Sequence, residues 1–430
     1  MKVLFVYPRF ARHAESHPEL LTFVPMKEYL GSPSLAIAAL VGCTPENVEI
    51  EYRDDRLANA AVPTDADLVA LTFFTAAASR GLELADYFRS LGKKVVAGGI
   101  FPTMMPDEVQ PHVDSVVVGE GEPVWEQVLA DAAAGTLRPR YAPAPADVCT
   151  LKPPKLDVYF QAERGDFKPD DYPLQVSRGC PLRCDACALP TVMGKSARAL
   201  PLDYILNVAA QITAGGRQAC LTEDTGWLPG TAGARRLTEL LEYLHAHGNP
   251  LRVSYIGISM PMILAAPARA FELARAAGVE LFYLVGGFDP VTTRAFTGKD
   301  PRAYQRAVDA IKKSFDHGIE PYTSFLLGND DDDEGTVDRM LDFANVSGIK
   351  KAEFAVFTPY PGTPAWTRLL AEDRILTREW RYYNDANVVF RPKQMTVEAL
   401  HEGYIRLWRE FYAARPESAL RSEAERTIQF

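Results

Sequence analysis

Cys180, Cys184 and Cys187 stand in a C-x3-C-x2-C array inside the stretch 176–190, directly after the strand-like Leu174-Gln175-Val176-Ser177. Thiolates clustered on one short loop are how iron–sulfur clusters are held, and a cubane given three of them keeps one iron open to an outside ligand. A closed zinc site is the competing reading. It needs a fourth ligand, which Cys220 or a distant histidine would have to supply. Zinc ligands usually come as two short clips, however, and no second C-x2-C or H-x3-H follows in the chain. The array therefore predicts a [4Fe-4S] cluster. Cys43, Cys149 and Cys220 read as ordinary buried or half-buried residues, since free cysteine behaves as a small hydrophobe.

The elements that must position this loop are legible as two successive alternations of strand and helix. In a chain of 430 residues, two or three domains are expected. Apolar runs at 3–7, 48–52, 68–73, 94–97 and 115–118 alternate with helical patterns at 34–41, 76–91 and 123–134. Such spacing implies crossover connections and a parallel sheet covered on both faces. Residues 136–172 are rich in proline and mark a connector. From residue 173 the alternation resumes, with strands at 174–177, 219–222, 252–258, 281–285, 321–327 and 352–357 and helices at 204–211, 234–245, 266–277 and 304–317. The fold class is α/β, with an N-terminal Rossmann-like parallel sheet domain (1–140), a linker (141–172), a partial (β/α)6 barrel (173–370) and a C-terminal helical segment (371–430). In the last of these, Leu400, Tyr404, Leu407, Phe411 and Tyr412 share a helical face, and Trp380, Tyr382 and Tyr383 read as packing residues, with a lid over a cavity as the lesser reading.

Ligands in parallel α/β sheets and barrels sit at the carboxyl ends of the strands. In the first domain those ends carry Thr72-Phe73-Phe74, Gly98-Gly99-Ile100-Phe101 and Gly119-Glu120-Gly121-Glu122. In the second they carry Thr222-Glu223-Asp224-Thr225, Gly286-Gly287-Phe288-Asp289 and Thr358-Pro359-Tyr360-Pro361-Gly362, while Ser254, Tyr255 and Ser259 lie along or just past the third strand. Asp224 or Thr225 could equally cap a helix. The acidic run 329–334 lacks the alternation and central glycine of a calcium loop and reads instead as carboxylates offsetting a helix dipole.

Composition narrows the class further. The net charge of −10 argues against broad binding to a nucleic-acid backbone. No stretch approaches the apolar length needed to span a bilayer. The start is too short for a signal peptide, and six cysteines are no disulfide framework, so a cytoplasmic, reducing setting is expected.

With Arg178-Gly179 before it and Pro181 within it, the cysteine array resembles the signature of the radical S-adenosylmethionine (SAM) superfamily, although Ala186 stands where an aromatic residue is common. The resemblance implies that the open iron binds SAM through its amino and carboxylate groups and reduces it to a 5′-deoxyadenosyl radical, with an external one-electron donor. It implies SAM contacts from the Ala186 backbone, from Glu223 and Asp224 to the amino group, from Asp289 to the ribose and from Thr358 and Pro359 to the adenine; Ser254 is a further contact if it faces the cavity. The segment 97–122 resembles the cobalamin-binding-type domain that precedes many such enzymes, which implies cobalamin contacts from Thr72, Phe74, Gly98, Gly99, Phe101, Gly119, Glu120 and Gly121. The Asp-x-His-x-x-Gly motif is absent, so cobalamin would bind with no histidine beneath the cobalt, or not bind. The class implies methyl transfer to a poorly activated carbon of a small biosynthetic molecule. The alternatives are a non-methylating radical reaction (oxidation, cyclisation, rearrangement or transfer of another SAM fragment) and a non-catalytic metal- or cobalamin-sensing module.

Overall fold

The computed structural model describes residues 1–24, 31–163, 169, 171–225, 227, 231–247, 251–284, 294–296 and 298–415. Its first sheet is parallel throughout and contains β1 (Lys2–Tyr7), β2 (Glu49–Asp54), β3 (Leu68–Thr72), β4 (Lys94–Gly98), β5 (Ser115–Val117) and the short β6 (Arg140–Tyr141), in the order β2-β1-β3-β4-β5-β6. Successive side chains of a strand point to opposite faces, and β1 shows the division. Val3 and Phe5 pack with the helices Leu35–Cys43 and Trp125–Ala134, whereas Leu4 and Val6 pack with the helix Ala78–Ser90. Each such side chain withdrawn from water contributes about 1.5–3 kcal/mol. The strand order reverses between β1 and β3, and the crevice outside their carboxyl ends is where sheets of this topology bind ligands.

The second sheet is also parallel and contains β7 (Asp171–Gln175), β10 (Gln218–Thr222), β11 (Val253–Ile258), β12 (Leu281–Leu284), β13 (Glu320–Leu327) and β14 (Lys351–Val356), ordered β14-β13-β12-β11-β10-β7. Among the described residues no pairing joins β14 to β7, so the barrel is partial and open at that seam. Between β7 and β10 a two-stranded antiparallel ribbon, β8 (Ser177–Arg178) with β9 (Arg198–Ala199), brackets the cysteine loop.

The proline-rich connector is packed rather than loose. The Tyr159 hydroxyl accepts from Ala38 N at 3.0 Å and donates to the carbonyl of Ser34. Leu156 N donates to Gln211 Oε1 at 3.0 Å, on the helix Leu202–Ala214 that follows β9. After the helix Pro364–Ala371 the chain returns to the first sheet, where Trp366, Trp380, Tyr383 and Val389 complete the apolar cluster formed by Phe73, Leu84, Phe88 and Phe101. Trp380 and Tyr383 are thus core residues of the N-terminal unit, while Tyr382 is exposed. The helix Val397–Ala413 then lies on the barrel, with Phe354 of β14 5.4 Å from both Trp408 and Phe411, ring centre to ring centre. Among the described residues no helix is long and apolar enough to cross a membrane.

Candidate active site

The cysteine loop is fixed at both ends by contacts that its sequence dictates. Gly179 has φ +82°, and a Cβ there would lie 2.4 Å from the carbonyl oxygen of Ser196, so only glycine fits. Its N–H donates to Asp224 Oδ2 at 2.8 Å, and Cys180 N donates to the carbonyl of Gly194 at 3.1 Å. On the far side of the loop, Asp185 pairs with Arg368 at 2.7 Å and Arg368 with Asp330 at 2.6 Å. Cys180 is buried, Cys184 and Cys187 are half-buried, and none of the three is in a disulfide. Burial pushes the Cys180 and Cys187 thiols upward. Among the described residues, only His17, Glu19 and His401 bring three potential metal ligands within 4.8 Å of one another. The three thiols do not form such a trio, so at least one pair of them lies more than 4.8 Å apart. Cys43 and Cys220 are buried, as expected, but Cys149 is exposed.

Glu223 and Asp224 follow β10, beside the loop, but both carboxylates serve the protein. Glu223 Oε1 accepts from Ser177 Oγ at 2.6 Å, and its Oε2 from the backbone of Thr225 and of Trp227, both at 2.7 Å. Asp224, pushed up by burial, holds Gly179. Neither caps a helix, because the next helix starts only at Thr231. Ala186 is buried in the core next to Cys187. Ser254 is a correction: it is the second residue of β11, and its hydroxyl donates to Asp171 Oδ2 at 2.8 Å, at the amino end of the barrel. Thr358 and Pro359 are buried directly after β14. Asp289 lies outside the described residues.

The structure adds a polar lining that the sequence did not disclose. Thr358 and Tyr360 bind the carboxyl of Asp385, the latter at 2.7 Å, and Asp385 itself has φ +60°. Deeper in the barrel, Tyr283 and Ser324 bind Glu353. Burial raises Glu353 to about 7 and Asp385 to about 6.

On the first sheet the strand ends behave differently. Glu120 is a second correction. Its Oε1 pairs with Arg178 Nη1 at 2.9 Å, and its Oε2 accepts from Arg198 Nη1 at 2.9 Å and from Ala146 N at 2.8 Å. Glu122 pairs with the other nitrogen of Arg178 at 2.7 Å. This buried ion cluster fastens the end of β5 to the residues just before Cys180. Phe101 is the third correction: it is fully buried between Phe73 and Trp380, with ring centres 6.1 and 5.3 Å away. The run 329–334 is not a helix-dipole device either. Asp330 pairs with Arg368 and Arg374, Asp332 accepts from Gly328 N and Asn329 N, and Asp333 pairs with Arg339. What remains at the first sheet's edge is backbone and small residues: Thr72, Gly98, Gly99, Gly119 and Gly121, with Phe74 half-buried against Phe10. Gly99 has φ +98°, and a Cβ there would come within 2.6 Å of Thr72 Oγ1. The two edges touch, since a Cβ on Gly362 after β14 would come within 2.7 Å of Met104 Cε.

A parallel sheet with a glycine-lined edge is fastened against a partial barrel whose first loop holds three cysteines outside any disulfide, an α/β architecture of two units. Comparison with known proteins places it. The family model described as the B12 binding domain matches residues 36–129, and that of the Radical SAM superfamily matches residues 174–344. The chain thus carries a match to the B12 binding domain followed by a match to the Radical SAM superfamily. It is 29% identical over 375 residues to bacteriochlorophyllide d C-12(1)-methyltransferase of Chlorobaculum tepidum, covering 85% of this chain and 79% of the relative. It is 23% identical over 439 residues to hopanoid C-2 methylase of Rhodopseudomonas palustris, covering 98% and 78%. The fold matches the radical SAM methyltransferase TsrM of Kitasatospora setae, solved with tryptophan substrate and a SAM analogue, with a TM-score of 0.63 and 18% identity over 86% of this chain and 76% of that one. The two domains imply a [4Fe-4S] cluster, SAM and cobalamin as cofactors.

Proposed function

We propose that the chain is a cobalamin-dependent radical SAM methyltransferase acting on a poorly activated carbon of a small biosynthetic metabolite. The observation that carries this reading is the buried Glu120–Arg178–Glu122 cluster, which fastens the carboxyl edge of the B12-binding sheet to the cysteine loop of the barrel. Two cofactors seated on those edges would face one space. When bound, the cluster and SAM supply a hydrogen-abstracting radical, with one electron from an external donor, and cobalamin supplies the methyl group.

The residues of the chain bind, orient and exclude water. Cys180, Cys184 and Cys187 hold the cluster. Glu223 and Asp224 act one step back, by fixing Ser177 and Gly179. Thr358, Pro359, Asp289 and the Ala186 backbone contact SAM. Thr72, Phe74, Gly98, Gly99, Gly119 and Gly121 form the cobalamin edge, which offers backbone donors and little side-chain bulk. The named relatives methylate carbon in bacteriochlorophyllide d and in hopanoids, and this supports methyl transfer over other radical outcomes. Turnover of anaerobically reconstituted enzyme tests the reading. Methylation that consumes two SAM molecules yields S-adenosylhomocysteine and 5′-deoxyadenosine together; 5′-deoxyadenosine alone under active turnover would sink it.

A further inference from the structure

We propose that His17, Glu19 and His401 form a divalent-cation site of the zinc class, separate from the cysteine cluster, which ties the segment after β1 to the C-terminal helix. The donor atoms of these residues lie within 4.8 Å of one another, the only such trio among the described residues. The tautomer of His17 is fixed by its surroundings. Its Nε2 lies 2.8 Å from the carbonyl of Ala386, which can only accept, so Nε2 carries the proton and Nδ1 keeps its lone pair. That lone pair points into the trio, with Nδ1 3.8 Å from Glu19 Oε1.

An imidazole whose other nitrogen donates to a backbone carbonyl is the usual form of a metal-bound histidine. The His401 ring, one turn into the helix Val397–Ala413, stands with its centre 5.1 Å from that of His17. Two imidazoles and a carboxylate suit zinc, with a water as fourth ligand. The burial gradient leaves room for that water, because His17 is buried, His401 is half-buried and Glu19 is exposed. His13 is not part of the trio; its Nδ1 lies 3.0 Å from the Tyr404 hydroxyl.

The position gives the ion a task. His17 holds Ala386, and the neighbouring Asn384 donates to the carbonyl of Ala11 and to Ser16 Oγ, at 2.9 and 2.8 Å. Between them lies Asp385, whose carbonyl accepts from Val356 N at 2.6 Å at the end of β14. A cation here closes a chain loop of several hundred residues, the kind of closure that restricts the unfolded chain most, and it fixes the segment that carries Asp385.

The test uses holoenzyme with cluster and cobalamin in place, stripped with a chelator too weak to remove iron and then titrated with Zn2+. The expected result is one zinc per chain by elemental analysis, with an absorption-edge signature of nitrogen and oxygen ligands and no sulfur. His401→Ala should weaken binding by more than about 100-fold, beyond the loss that an outer-shell partner causes, and Glu19→Gln should weaken it to a lesser degree. Zinc should raise the melting temperature of the wild-type holoenzyme and leave that of His401→Ala unmoved, a readout independent of turnover. Sulfur in the zinc shell, no zinc bound, or equal affinity in the wild type and His401→Ala would overturn the proposal.

Discussion

The carboxyl edge of the first sheet and the interior of the barrel handle charge in opposite ways. On the first sheet every strand-end carboxylate described is answered by arginine: Asp54 by Arg56, Asp55 by Arg80, and Glu120 by Arg178 and Arg198. The edge left over is glycine and backbone. In the barrel, Glu353 and Asp385 are held by hydroxyls, from Tyr283, Ser324, Thr358 and Tyr360, and burial drives both toward the neutral form. Ion pairs that cancel leave a smooth cradle for a large cofactor. Carboxyls that stay uncancelled leave groups able to donate or accept a proton or to orient a polar ligand. The difference teaches that the first unit would grip by shape and the second by chemistry.

The contrast can be broken experimentally, starting with the largest effect. Replacing any one of Cys180, Cys184 or Cys187 by alanine should abolish turnover and the cluster absorbance of anaerobic protein while leaving cobalamin content intact. Loss of both cofactors together would show that the edges are not independent. Arg178→Met removes one of the two arginines on buried Glu120 and the arginine paired with half-buried Glu122, and breaking such a pair should cost about 3–5 kcal/mol; Arg178→Met with Glu122→Gln should recover part of it in a denaturant titration. Gly99→Ala forces a side chain into a space 2.6 Å from Thr72 Oγ1 at φ +98°, a strain of about 1–3 kcal/mol. Its cobalamin content should fall well below that of Gly98→Ala, whose Cβ would find its nearest neighbour at 3.7 Å.

The smallest effect is a pH dependence of stability. Glu353 sits at about 7 in the folded chain, against about 4.3 when unfolded. The folded state therefore binds this proton more tightly, and the stability it contributes is complete below about pH 4 and lost as pH rises through about 7. Glu353→Gln should flatten the decline in melting temperature between pH 5 and pH 8. A slope identical to that of the wild type would show that the barrel carboxyl does not titrate as described. Asp385, raised to about 6, should leave a residual slope in the variant.

Strand positions were legible because buried parallel strands are near-continuous apolar runs. β3 was expected at 68–73 and spans Leu68–Thr72, and β13 was expected at 321–327 and spans Glu320–Leu327. The β8–β9 ribbon was not legible, since two residues a side carry no period. Glu120 resembled a ligand because its partners lie far along the chain, at Arg178 and Arg198, and nothing in a one-dimensional pattern announces that pairing. Ser254 failed for a metric reason. Strand residues advance about 3.3 Å each, so a serine four positions before the end of β11 sits about 13 Å from the edge that binds ligands. Phe101 follows a glycine turn where a ligand contact is plausible, and only the arrival of Trp380 shows that its ring is covered. The cysteine spacing was the clearest signal because three ligands on one loop need no distant partner to be recognised.

The return of residues 366–389 to the first sheet bears on how the protein is made. Phe73 and Phe101 are synthesised early, yet Trp366, Trp380 and Tyr383, which cover that face, follow more than 250 residues later. Domains usually fold in order as they leave the ribosome. Here the nascent N-terminal unit would emerge with one apolar face bare and wait through the whole barrel for its cover, exposed to chaperones and to premature association during translation. The unit translated first is therefore among the last to be finished.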